Sequence, residues 1–215
     1  MIWALIISAM TFQSGDRVRI VAMGDSTTAG TPGFESPREA PPKGRGDETS
    51  QYAYWLMKAH PEWEVINQGV NAQRSDVIAG RFEEDVIALK PAVVVIIAGV
   101  NDVYQGRPAK HVKDQLAAMY KRAQKAGITV IAGSIIPYNS ATPDQNARMH
   151  EINDWIRAQA QADPRMLFVD TRAAVTAPGQ PDTLISSPDG LHPDAAGYKR
   201  MADALEPAIR QALSK

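Results

Sequence analysis

Five short, mainly apolar runs punctuate this chain: Val18–Met23, Glu64-Val65-Ile66, Ala92–Ala98, Ile128–Ala132 and Met166–Val169. Runs of this length, bounded by turn residues, read as strands. Ala92–Ala98 is dominated by β-branched residues, as expected of a parallel strand covered on both faces. Between the runs, apolar positions recur at helical spacing. Residues Gln51–His60 read as a helix with Thr49 or Ser50 as N-cap. In Ser75–Leu89, residues Val77, Ile78, Phe82, Val86 and Leu89 share one helical face, and Pro91 follows. Pro108–Lys125 is helical and stops at Gly127. Pro143–Ala162 and Asp194–Leu213 complete the helices, with Pro193 near the start of the last.

Strands that alternate with helices predict βαβ units. The expected fold class is therefore α/β, with helices on both faces of a five-stranded parallel sheet. No internal repeat or linker interrupts residues 17–215, which read as a single domain. The segment Thr31–Asp47 is the one long irregular stretch, rich in Pro and Gly. Loops of that length in compact domains are usually functional or disordered. It follows the first strand-to-helix turn and is expected to wall or cover a site there.

Composition narrows the class further. The chain has 215 residues, 44% hydrophobic and 22% charged, which suits a globular domain with a sizeable core. A net charge of -1 argues against nucleic acid as a partner. The chain contains no cysteine, which excludes disulfides and thiolate metal sites and leaves the compartment open between secreted or periplasmic and cytoplasmic. Residues 1–16 begin almost wholly apolar (Met1–Met10) but are too short to span a bilayer, and no basic residue precedes Arg17. Two readings stay open: a degenerate export signal, or an arm packed on its own domain or on a second copy in a homodimer.

The candidate chemistry sits where the apolar runs stop. Gly24-Asp25-Ser26 ends the first, Asn67-Gln68-Gly69 the second and Gly99-Val100-Asn101-Asp102 the third, while Asp189-Gly190-Leu191-His192-Pro193 precedes the last helix. Open α/β sheets bind ligands at such strand ends. A serine hydroxyl becomes a nucleophile when a base takes its proton, and histidine titrates in the right range. Of the four histidines, His192 alone lies in a Gly/Pro-marked loop, three residues after an aspartate. Asp189 can then bond one ring nitrogen and leave the other for Ser26. Attack on an ester creates an oxyanion that needs donors. The amides of Ser26 and Gly69 and the Asn101 side chain converge if the first three strands are neighbours.

Each part alone has a plainer reading. Ser26 can cap a helix, Gly69 can serve a turn, and Asn101-Asp102 can bond locally within a loop. Their joint occurrence in this order is what points to a hydrolase. With these four blocks the chain resembles the SGNH hydrolases, also called GDSL esterases, from about Arg17 onward. The resemblance implies a flavodoxin-like three-layer α/β/α sandwich and an esterase that hydrolyses acyl or acetyl esters through an acyl-enzyme. It assigns Ser26, Asp189 and His192 to the triad and Ser26, Gly69 and Asn101 to the oxyanion hole, with no cofactor. Thr27 departs from the aliphatic residue many members carry.

A small-molecule ester is the expected partner. Val103, Tyr104, Ile136, Pro137 and Tyr138 follow the third and fourth strands and are expected to line its pocket. Two tyrosines suit a small acyl group or a sugar ring, so short-chain esters, including acetylated carbohydrate, lead. Lysophospholipase or thioesterase activity is the alternative within the family, and a non-catalytic carbohydrate-binding relative the alternative outside it. A divalent cation held by Asp25 and Asp102 is a further rival, but it leaves Ser26, Asn101 and His192 without a role.

Overall fold

A computed structural model describes residues 17–214; the expectations for the N-terminal segment fall on residues outside that range. Strands β1 (Val18–Gly24), β2 (Trp63–Gly69), β3 (Val93–Ile97), β4 (Thr129–Gly133) and β5 (Met166–Val169) form one sheet in the order β2-β1-β3-β4-β5. All neighbouring pairs are parallel, and one row of residues, Ile66, Val21, Val94, Val130 and Met166, runs across the sheet. Around it lie α1 (Ser26–Ala29), α2 (Tyr52–Ala59), α3 (Ser75–Gly80), α4 (Val100–Tyr104), α5 (Ala109–Lys125), α6 (Pro143–Ala162), α7 (Thr171–Val175) and α8 (Ala195–Leu213).

The period of two in β3 explains the layers. Val93, Val95 and Ile97 enter one core with Tyr52 and Leu56 of α2 and Met201 and Leu205 of α8. Val94 and Ile96 enter the other, with Ile78 of α3, Leu116 and Met119 of α5 and Ile152 of α6. Every residue of β3 is buried, so the strand reads as a continuous apolar run. The expected three-layer α/β/α sandwich with a five-stranded parallel sheet is the observed one.

Local departures have local causes. The helix expected over 75–89 breaks after Gly80 and resumes as a π-helical turn, Glu83–Ile87. Arg81, at the break, turns its guanidinium inward to the Gly24 carbonyl at 2.8 Å and to Asp85. The Thr49/Ser50 cap of α2 is replaced by a 3-10 turn, Glu48–Ser50, which Asp47 caps by accepting from the Thr49 amide. Gln51 then precedes α2. Within 31–47, Phe34–Glu35 and Arg45–Gly46 pair as a small antiparallel hairpin. A second hairpin joins Thr176–Ala177 to Gln180–Leu184.

Candidate active site

The strand order reverses between β1 and β3, and open sheets of this kind bind ligands outside that switch point. Ser26 follows β1 and Asn101 follows β3, so the two residues flank it. Asp25 caps α1, accepting from the Thr27 amide at 3.0 Å. This turn presents Ser26 as the first helical residue, whose N–H has no intrahelical partner. Gly69 ends β2 against this turn: a Cβ there would lie 2.1 Å from the Ala29 nitrogen and 2.6 Å from its Cα. Only glycine permits that approach, which brings the segment after β2 beside Ser26.

Three side chains form a relay. The Ser26 Oγ lies 2.9 Å from His192 Nε2, and His192 Nδ1 lies 2.7 Å from Asp189 Oδ2. Ser26 and His192 are buried, and Asp189 is partly exposed. The other Asp189 oxygen accepts from the amides of Leu191 and His192, both at 2.9 Å, and from the Ser187 hydroxyl at 3.3 Å. Partial burial works to raise the Asp189 pKa. The His192 ring, those two amides and the imidazolium charge outweigh it and hold the carboxyl below its ordinary value. The loop is clasped to the opposite wall by Asn139, whose amide donates to the Gly190 carbonyl at 2.7 Å.

Asn101 donates through Nδ2 to the Gln73 carbonyl at 3.0 Å. A primary amide has two N–H bonds, so the second remains available. Gly69 is placed differently from the expectation. Its amide donates to its neighbour Asn67 at 2.9 Å, and the residue is absent from the cleft lining. Ala72 lines the cleft instead, at φ 60, with an amide that donates to no group among the described residues.

The profile of the GDSL-like lipase/acylhydrolase family matches residues 22–200. The chain belongs to that family. It is 29% identical over 213 residues to an acetylxylan esterase of Geobacillus stearothermophilus, covering 89% of this chain and 93% of that one. Among solved structures it is similar to a lipolytic protein of the G-D-S-L family from Desulfitobacterium hafniense DCB-2, with TM-score 0.73, 25% identity and coverage of 89% and 99%. A GDSL-like lipase from Bacteroides thetaiotaomicron VPI-5482 gives TM-score 0.72, 27% identity and coverage of 90% and 88%. The protein is thus a carboxylic ester hydrolase of the SGNH/GDSL type.

In this GDSL hydrolase the cleft beside Ser26 measures about 200 Å³ and is lined by Thr27, Asn71, Ala72, Val100 and Leu191 as well as by Ser26, Asn101 and His192. Of the five residues expected to line it, Tyr104 and Tyr138 do, packed edge to face at 5.6 Å. Val103 instead faces the core, Ile136 lines a small void behind Asp25, and Pro137 is buried away from the cleft. Helical phase explains Val103: α4 turns Tyr104 outward and its neighbour inward. No residue of 31–47 lines the cleft, so that loop neither walls nor covers it.

Of the two carboxylates of the metal alternative, Asp102 is engaged through both oxygens and Asp25 through Oδ1 alone. Asp102 is fully buried, and its oxygens accept from the Ser75 amide at 2.7 Å and the Ser75 hydroxyl at 2.9 Å. Asp25 is buried, which pushes its pKa up to about 7; the Thr27 amide and hydroxyl and Arg81 oppose the rise, and Asp102 adds to it. Asp76, Asp102 and His111 bring ligand atoms within 4.8 Å of one another, but Asp76 is paired with Arg74. Among the described residues, no helix is long and apolar enough to cross a membrane.

Proposed function

We propose that this hydrolase cleaves short-chain acyl esters, acetyl esters foremost, through an acyl-enzyme on Ser26. The observation that carries the reading is the relay from Asp189 through His192 to Ser26, which opens on a cleft of about 200 Å³. Clefts for drug-sized ligands run to about 300–1,000 Å³, so this one suits a small acyl group. Similarity to an acetylxylan esterase supports the same class.

In the proposed sequence, Ser26 attacks the ester carbonyl while His192 takes its proton at Nε2. Asp189 holds the ring tautomer and stabilises the imidazolium. The oxyanion is met by the Ser26 amide, the Ala72 amide and the free N–H of Asn101. His192 then protonates the leaving alcohol, and water releases the acid by the reverse geometry. Tyr104, more than half exposed at the cleft mouth, offers a flat face to the alcohol portion.

A chain-length series of p-nitrophenyl esters run beside acetylated xylo-oligosaccharides tests the proposal. kcat/KM should be highest for acetate and fall by at least about tenfold by octanoate, since the cleft cannot admit the longer chain without rearrangement. A maximum at octanoate or longer would contradict the short-chain reading and favour a lysophospholipase or thioesterase. No turnover of any ester would favour a binding relative.

A further inference from the structure

We propose that Glu39, in the long loop after the nucleophile, is a positioning residue for the oxyanion hole. Its carboxylate pins the backbone segment that carries the Ala72 amide. The proposal rests on the reading of Ser26, Ala72 and Asn101 given above.

Ala72 has φ 60, a left-handed conformation that a residue with a Cβ adopts at a steric cost. Such a conformation persists where its surroundings over-determine it. Here the residues on both sides of Ala72 are held. Downstream, the Gln73 carbonyl accepts from Asn101, the Gln73 side chain accepts from Arg81 at 2.7 Å, and Asp102 holds Ser75. Upstream, the Asn71 amide donates to Glu39 Oε1 at 2.8 Å. Asn71 is exposed, so without Glu39 its amide would face water and that flank of Ala72 would lose its anchor.

Glu39 is itself fixed. Its second oxygen accepts from the Ser36 amide at 3.3 Å, and its own amide donates to the Ser36 carbonyl at 3.0 Å. Ser36 is fully buried and donates its hydroxyl to the Gly69 carbonyl at 2.6 Å. One turn, 36–39, therefore grips the end of β2 at Gly69 and the segment beyond it at Asn71. The Pro/Gly-rich loop meets the active site from behind, through backbone groups. Bonds from an amide to a carboxylate are roughly twice as strong as neutral ones, which suits an anchor at an exposed position.

Complete loss of an oxyanion donor lowers kcat about 10²–10³-fold. Loss of the anchor leaves the donor present but less well aimed, so Glu39→Ala should lower kcat about tenfold. KM should stay within about twofold, because the donor acts mainly in the transition state. The pH profile should be unchanged, because Asp189 and His192 are untouched. Glu39→Gln keeps one carbonyl acceptor and should recover part of the loss.

The experiment is steady-state hydrolysis of p-nitrophenyl acetate by both variants, with Ser26→Ala beside them and thermal melts to confirm folding. Wild-type kcat in Glu39→Ala, with Ser26→Ala inactive, would overturn the proposal and leave the active-site reading standing. So would a loss carried by KM alone. A fully active Ser26→Ala would overturn that reading as well. If Glu39→Ala does not fold, Glu39→Gln carries the test, with a loss of about threefold in kcat expected and none contradicting.

Discussion

Asp189→Asn changes one atom, and the surrounding bonds dictate the outcome. Asp189 Oδ1 accepts from the amides of Leu191 and His192 and from the Ser187 hydroxyl, while Oδ2 faces His192 Nδ1 at 2.7 Å. The single oxygen of an asparagine must stay with the backbone donors. The flipped rotamer would sacrifice two amide bonds, each worth about 1 kcal/mol, and would set N–H against N–H. The asparagine nitrogen therefore faces Nδ1, which must become an acceptor, and the ring proton moves to Nε2. There it points at Ser26 Oγ, 2.9 Å away, and the ring can no longer take the serine proton. Enforcing the wrong tautomer in a serine triad lowers kcat about 10⁴-fold, or about 5.4 kcal/mol at 1.36 per decade. Asp189 does not line the cleft, so KM should hold. The assay is initial-rate release of p-nitrophenolate from the acetate ester at neutral pH. Retention of more than about a tenth of wild-type kcat would mean that His192 takes its tautomer from something other than Asp189.

Two further outcomes are expected. Asn101→Ala should lower kcat on the order of a hundredfold with KM little changed; a rise in KM with kcat preserved would make Asn101 a ground-state contact. Asp25, whose pKa is raised to about 7 from an ordinary 3.8, is favoured as the neutral acid in the folded state. Its contribution is full below pH 4, declines as pH rises toward 7 and levels off above, an effect on the order of 4 kcal/mol. Asp25→Asn should therefore gain stability relative to wild type between pH 4 and pH 7 in urea melts; a constant difference across that window would show that Asp25 does not titrate there.

The sheet was legible because its strands are unusually plain in sequence. A fully buried parallel strand such as Val93–Ile97 has no polar face to blur the run. β2 was harder to delimit. Its buried Asn67, bonded to the Ala29 carbonyl and to Gln51, looks like the end of a strand that in fact continues to Gly69. The hydrogen-bonded arrangement of Ser26, His192 and Asp189 was legible because these residue types stand beside turn signals in the sequence. The Ala72 position was not: a non-glycine residue held at positive φ by Glu39 and Gln73 leaves no mark in its own identity. Gly69 drew attention instead, and its glycine answers to the backbone of Ala29. The pocket wall was half legible, since which of Val103 and Tyr104 faces the cleft depends on the phase of a five-residue helix. The cooperation of loop 31–47 with the segment after β2 is a long-range pairing that no local pattern announces.

Covalent trapping of the nucleophile tests the central claim most directly. A fluorophosphonate should add once to the protein, and peptide mapping should place the adduct on Ser26. Labelling should vanish in Ser26→Ala and fall at least about a thousandfold in rate in His192→Ala, as the loss of a triad member requires. Modification of any other serine, or labelling of Ser26→Ala at the wild-type rate, would contradict the account.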